Sequence, residues 1–226
     1  FMPRFGVVNE RRHQLHEVIR LSGINLIIDD IDMPLIIKVA SIPKERMQVY
    51  FIDNDEYFKR KAVFTDEDNV LFDDNDERII FFTKGVIETV KKLNWDPDII
   101  HLNGWMTSLI PLYLREYYKD DALFKDSKII TALYDDGFEG VINRDISRKV
   151  AFDQIAPSHL TTIATPNFIN LQKLAIEKSD SVIFAQQNVS EELKKFVSEQ
   201  AKPALEYHGR EDFAAAYLEF YKKHIK

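Results

Sequence analysis

The distribution of apolar residues predicts an α/β fold: a mainly parallel sheet with flanking helices, preceded by a β-rich meander near the N-terminus. Three observations carry that expectation. Short apolar runs at 98–103, 128–134 and 181–185 alternate with stretches of helical periodicity, the order expected of right-handed βαβ units. Between residues 15 and 52 the apolar positions recur instead at strand spacing, with turn residues between them. A hydrophobic content of 45% is ample for a core, and the length of 226 residues fits one large domain or two small ones.

Taken in order, Leu15 to Leu21 and Ile24 to Ile28 read as strands separated by Ser22-Gly23. Asp29 to Pro34 carries strong breakers and reads as a turn. Leu35 to Ile42 and Met47 to Ile52 are further strands. Asp53 to Asp76 is acidic and irregular, anchored by Tyr57-Phe58. A long helix is expected from about Asn75 to Leu93, with Ile79, Phe82, Val86, Ile87 and Val90 at helical spacing. Strand 98–103 follows, then a sharp turn at Gly104, helix 105–118, strand 128–134 and a loop to about Pro166. Thr165 as N-cap and Pro166 at the first helical position open another helix, whose buried stripe is Phe168, Leu171, Ala175 and Ile176. Ser181 to Ala185 is a short strand, and Asn188-x-x-Glu191 reads as a capping box for the next helix. Ala204 to Tyr207 is a last strand and Asp212 to Ile225 a last helix. Its stripe of Phe213, Tyr217, Phe220 and Tyr221 is expected to pack on the core, with a face for another subunit as the alternative. There is no internal repeat.

Composition excludes several classes of function. A net charge of −7 argues against a nucleic-acid or anionic-membrane surface. There is no cysteine, hence no disulfide framework and no thiol nucleophile. No apolar run approaches the ~20 residues of a membrane helix and no signal segment opens the chain, so a cytoplasmic location is expected. The sequence lacks G-x-x-x-x-G-K-[ST], G-x-G-x-x-G and G-x-S-x-G, and its 7 glycines are few for phosphate cradles. His13-x-x-His16 is the one close histidine pair. At the edge of a strand its two rings point to opposite faces, so neither a metal nor any other cofactor is expected.

The most informative stretch is Trp95 to Trp105. Ligands of open parallel sheets sit outside the carboxyl ends of the strands. His101, Asn103 and Trp105 would cluster at one such end, and Tyr134, Asp135 and Asp136 follow the next strand. An imidazole, an amide, an aromatic platform and carboxylates suit a polyhydroxylated ligand. The competing reading has Trp105 packing its helix on the sheet, His101 as a core histidine, and the two aspartates facing water.

The same stretch resembles a known family. Asp76-Glu77-Arg78-Ile79-Ile80-Phe81-Phe82, then Trp95-x-Pro97-Asp98-Ile99-Ile100-His101-x-Asn103-x-Trp105 and Leu109-Ile110-Pro111-Leu112-Tyr113-Leu114, look like the ADP-glucose-dependent glycogen and starch synthases, glycosyltransferase family 5. Met2-Pro3-Arg4-Phe5-Gly6 and Val49-Tyr50-Phe51-Ile52-Asp53-Asn54 are similar to that family's motifs upstream. The resemblance implies a single domain over 1–226 with a Rossmann-like sheet, the N-terminal half of a GT-B glycosyltransferase. It also implies an α-glucan and ADP-glucose as ligands, and transfer of glucose to the non-reducing end of an α-1,4-glucan without a metal. By the same comparison the chain is expected to be truncated at its N-terminus, to lack the donor-nucleotide domain, and to finish at its last helix.

Three departures stand against catalysis. The family's Lys-Thr-Gly-Gly-Leu loop would precede Phe1. Its His-x-x-Asp-Trp turn is His101-Leu102-Asn103-Gly104-Trp105 here, with glycine for aspartate. Its Thr-x-His-Asn falls on Thr131-Ala132-Leu133-Tyr134, with Leu133 for the histidine that contacts the transferred glucose, and its Tyr-Gln-Gly becomes Phe138-Glu139-Gly140. Leucine cannot hydrogen-bond a sugar hydroxyl. Two functions are therefore weighed. One is glucosyl transfer completed by a donor site elsewhere. The other is a catalytically deficient stand-alone domain that binds glucan, or that regulates a full-length synthase through a complex or through self-association. No residue is assigned a catalytic role.

Overall fold

The computed structural model describes residues 1–224. Its N-terminal part is a five-stranded mixed sheet. β1 (Met2–Pro3), β2 (His16–Glu17), β3 (Ile24–Ile28), β4 (Ile31–Ile42) and β5 (Met47–Asp53) are arranged in the order β1-β5-β4-β2, with β3 paired to β4. β1 runs parallel to β5, and the remaining pairs are antiparallel. Two expectations are corrected here. The strand expected over Leu15 to Leu21 shrinks to His16–Glu17, because the chain turns back at once: Leu21 and Ser22 both donate backbone N–H to the Val18 carbonyl. The turn expected over Asp29 to Pro34 is confined to Asp29 and Asp30. Asp29 takes the left-handed conformation (φ 59°), which Asp tolerates better than most residues, and β4 has begun by Ile31. Pro34 sits inside β4 without breaking it, at the point where β4 passes from its β3 partner to β5. Its carbonyl accepts from Asn54 Nδ2 at 3.0 Å.

The acidic stretch after β5 is more ordered than expected. Asn54 caps a short helix, α1 (Asp55–Phe58), by accepting from the N–H groups of Glu56 and Tyr57. Tyr57 and Phe58 are buried, as their apolar character requires. The loop beyond them is held by Arg78, which is fully buried on α2 (Asn75–Lys92). Its guanidinium donates to the carbonyls of Tyr57 and Val63 and to Asn75 Oδ1. A buried guanidinium is tolerated where its donors are satisfied in this way.

The long helix α2 is where the two halves of the molecule meet. It touches β3 and β5 and also the 105–107 turn and the helices that follow. Ile80 and Phe81 are therefore buried together with Ile79 and Phe82, and the buried face is wider than one stripe. Gly85 lets the helix approach the meander closely, since a Cβ there would lie 2.7 Å from Ile52 Cγ2.

The second half is a four-stranded parallel sheet in sequential order. It comprises β6 (Ile99–Asn103), β7 (Lys128–Leu133), β8 (Ser181–Phe184) and β9 (Ala204–Leu205). The helices between and after the strands are α3 (Ile110–Glu116), α4 (Ile146–Phe152), α5 (Phe168–Lys178), α6 (Glu191–Glu199) and α7 (Phe213–Lys222). The α/β class with a mixed sheet beside a parallel one agrees with the expectation. The details differ in four places. Helix 105–118 is a 3-10 turn, Trp105–Thr107, followed by α3, with Pro111 in the first turn of α3. The loop expected to Pro166 contains α4, whose Ile146 and Val150 sit one turn apart on a buried face. Lys149 ties α4 to α2 through Asp76 and Glu77, each at 2.7 Å. Lys84 on α2 meets Asp153 at 2.6 Å, and the Tyr113 hydroxyl donates to the same carboxylate at 2.7 Å. The caps of α5 and α6 are Asn167 and Ser190, in place of Thr165 and Asn188. Each accepts the N–H three residues on, from Asn170 and Leu193.

α7 lies over the face of the parallel sheet that α2 does not cover. Phe220 is buried against Ile130, Ala132 and Ile183, and Tyr217 and Tyr221 pack partly around them, while Phe213 stays exposed. The stripe thus divides between packing and exposure. Ile225 of the expected helix lies outside the described residues.

Candidate functional site

The parallel pairing of β6 and β7 sets Asn103 opposite Ala132, so both strands end at one edge. Side chains alternate across a strand, which places His101, Asn103 and Tyr134 on the face covered by α7. Asn103 and Tyr134 meet there: the Tyr134 hydroxyl donates to Asn103 Oδ1 at 2.6 Å. The amide N–H groups of Asn103 remain available to a ligand.

Gly104 makes the turn out of β6 with φ 77° and ψ 157°, a conformation essentially restricted to glycine. The space above it is open enough for a side chain, since a Cβ would lie 3.8 Å from Asp136 Oδ2. The backbone angles, and not crowding, therefore require glycine. The family's aspartate would need a different backbone here. Asp135 and Asp136 are both exposed at the end of β7. The Asp135 N–H is held by Gln186 Oε1 at 2.6 Å. Partial loss of solvent, with the charge of Asp135 beside it, pushes the Asp136 carboxyl above the ordinary carboxylate range.

His101 is screened by α7. Its Nδ1 lies 2.6 Å from the Tyr221 hydroxyl, and the rings of Tyr217 and Tyr221 stand edge-on at 5.7 Å. Its Nε2 is buried without a partner. Burial lowers its pKa to about 4, so the imidazole is neutral at neutral pH. Trp105 departs from the expectation of a stacking platform. It is 2% exposed and packed between Phe64 and Phe138, with ring centroids at 4.6 and 4.9 Å. A large apolar ring next to a core is drawn inward by burial, and here it becomes a wall with no free face.

The structure therefore gathers His101, Asn103 and Tyr134 at one mouth and sets Asp135 and Asp136 beside it. It also brings in residues that sequence spacing did not single out as site residues. Tyr207, His208, Arg210, Phe213 and Tyr217 line the same cleft, of about 510 Å³, over the ends of β6, β7 and β8. The aromatic spacing of α7 was the one signal of them, and it could not show which part of the sheet α7 would cover. Leu133 is fully buried in the main core, on the opposite face from Tyr134. His13 and His16 are exposed on a turn and on β2. Among the described residues no group of three or more His, Asp or Glu could hold a metal ion, and no helix is long and apolar enough to cross a membrane.

Fold and geometry together define an α/β domain with a cleft at the carboxyl ends of its parallel strands, where open sheets usually bind ligands. Comparison with known proteins is more specific. The model of the starch synthase catalytic domain family matches residues 1–206, and the chain belongs to that family. The glycogen synthase of Chlorobium phaeobacteroides is 39% identical over 158 residues, which are 68% of this chain and 32% of that protein. That of Pelodictyon phaeoclathratiforme is 30% identical over 203 residues, 86% of this chain and 40% of that one. The chain thus spans roughly a third of the length of these curated relatives. The catalytic domain of starch synthase IV from Arabidopsis thaliana, solved bound to ADP and acarbose, shares the fold. It has a TM-score of 0.67 at 15% identity over 91% of this chain and 43% of that one.

Proposed function

We propose that this chain is a glucan-holding domain of the glycogen and starch synthase type, and that its own residues do not transfer glucose. The observation that carries this reading is the end of β7. Tyr134 bonds Asn103 at the cleft, while Leu133, on which the family's glucose-contacting histidine falls by the resemblance in motif order, is buried in the core. The amide of Asn103, the Tyr134 hydroxyl and the carboxylates of Asp135 and Asp136 present donors and acceptors to a chain of sugar hydroxyls. His101 is committed to Tyr221, which leaves its imidazole unavailable to assist bond cleavage.

Family membership favours a second reading, glucosyl transfer from ADP-glucose to an α-1,4-glucan with a donor site supplied from elsewhere. A full-length synthase or a second copy of this chain is the natural partner under either reading. The direct test of glucan holding is gel-shift affinity for glycogen with Asn103→Ala. Loss of one hydrogen-bonding group should weaken binding roughly 2- to 10-fold with unfolding behaviour unchanged. Unaltered affinity would remove Asn103 from the site.

A further inference from the structure

The parallel sheet leaves one long edge uncovered. β6 is its outermost strand and pairs with β7 alone, while β1 is the outermost strand of the mixed sheet. A cavity of about 270 Å³ lies against β6. It is lined by all of Ile99–Asn103, by Phe1 just before β1, and by Phe82, Val86, Ile87 and Val90 of α2. Side chains alternate across a strand, so a cavity reached by consecutive residues opens on the strand's edge. Backbone pairing shows what that edge lacks. Ile99 stands opposite Lys128, and the Lys128 N–H donates to the Asp98 carbonyl at 2.9 Å. In a parallel ladder alternate residues turn both backbone groups to the same neighbour. Ile100 and Leu102 therefore face β7, and the N–H and C=O groups of Ile99, His101 and Asn103 point away from it. Among the described residues none of these outward groups meets a protein partner.

Unpaired backbone beside an apolar cavity is costly, and free edges are ordinarily blunted by lysine or proline. Ile99–Asn103 contains neither. The chemistry that satisfies such an edge is another extended backbone. Every strand among the described residues already has its place in a sheet, so this one comes from outside them. A second copy is poorly placed to offer its own β6, which is recessed: Ile99, Ile100 and His101 are half-buried and Leu102 is buried. The apolar floor of α2 calls for apolar residues at alternate positions of the added strand. Asp96 and Asp98 stand exposed at the entry to β6, on a chain of net charge −7, and favour basic residues at that end. We propose that this chain takes up a single extended strand of a partner polypeptide along the free edge of β6, with alternate apolar residues laid on α2 and basic residues nearest Asp96 and Asp98. None of the sugar contacts is needed for it.

Titration of the whole chain with the synthetic peptide Lys-Lys-Val-Thr-Ile-Thr-Val, with amide exchange followed by NMR, tests it. The peptide should bind saturably and slow the exchange of the Ile99, His101 and Asn103 amides, while those of Ile100 and Leu102, already bonded to β7, change little. The apolar positions of the added strand are the ones whose N–H faces β6, so proline in place of the central isoleucine of the peptide should weaken binding at least about tenfold. Val86→Lys, at a half-buried position of α2, should lower the affinity in the same way, with circular dichroism confirming the fold. Binding without protection at Ile99, His101 and Asn103, equal affinity for the proline peptide, or no binding at all would overturn the proposal. A concentration-dependent dimer that protects the same amides without peptide would also overturn it and assign the edge to a second copy.

Discussion

At the scale of single residues, the site is governed by which polar groups are left free. Leu133 is sealed in the core, Trp105 is packed between two phenylalanines, and His101 is screened by the tyrosines of α7. What stays open at the strand ends is the Asn103–Tyr134 pair with the exposed aspartates beside it. Their gathering at one strand end was legible in the sequence, because a strand followed by a turn places its last side chains at the edge of a parallel sheet. Their exposure was not, because whether a tryptophan faces a ligand or a core depends on Phe64 and Phe138, far away in sequence. His101 gives a test by pH. Its pKa in the folded protein, about 4, lies below the ordinary ~6.5 of an unfolded histidine. Between those values the unfolded chain binds more protons, so this contribution to stability is complete above about pH 6.5 and is lost as pH falls toward 4. The loss attributable to His101 should reach about 3 kcal/mol. Urea midpoints measured from pH 7 to 4.5 should fall less steeply for His101→Leu than for the parent chain. Parallel slopes would mean that His101 is solvated.

At the scale of elements, the parallel strands and α2 were legible because their apolar periods are long and regular. β6, β7 and β8 lie within a residue or so of their expected bounds. The misses have local physical causes. α4 escaped because a run of seven residues carries only two turns of pattern, Ile146 and Val150. The caps slid by two residues because Thr165-Pro166 and Asn188 are themselves good capping chemistry, and only geometry chose Asn167 and Ser190. Pro34 misled because a proline between hydrogen-bonding partners is tolerated within a strand. The packing of α2 on the meander is testable at Gly85. Alanine favours a helix by up to ~1 kcal/mol, but its methyl would stand 2.7 Å from Ile52 Cγ2 and 3.2 Å from Leu35 Cδ1. Gly85→Ala should therefore destabilise the protein by about 1–2 kcal/mol in urea unfolding. A stabilised variant would show that the helix and sheet are less closely packed.

At the scale of the whole molecule, the mixed sheet, α2 and the parallel sheet form one framework, and α7 closes the free face of the parallel sheet. This framework belongs to the starch synthase catalytic domain family, and the chain covers roughly a third of its curated relatives. The family architecture was readable from motif order. The outer wall of the cleft was not, because Tyr207 to Phe213 join it only through the path of the chain after β9. The central claim is that this assembly holds glucan without transferring glucose to it. The most direct measurement is glycogen-dependent release of ADP from ADP-glucose by the purified chain, with glycogen binding followed in the same preparation. Glycogen retained on the protein with no ADP above background is the predicted result. Turnover that depends on glycogen would contradict it and would show that the chain commands a donor site and a catalytic group of its own.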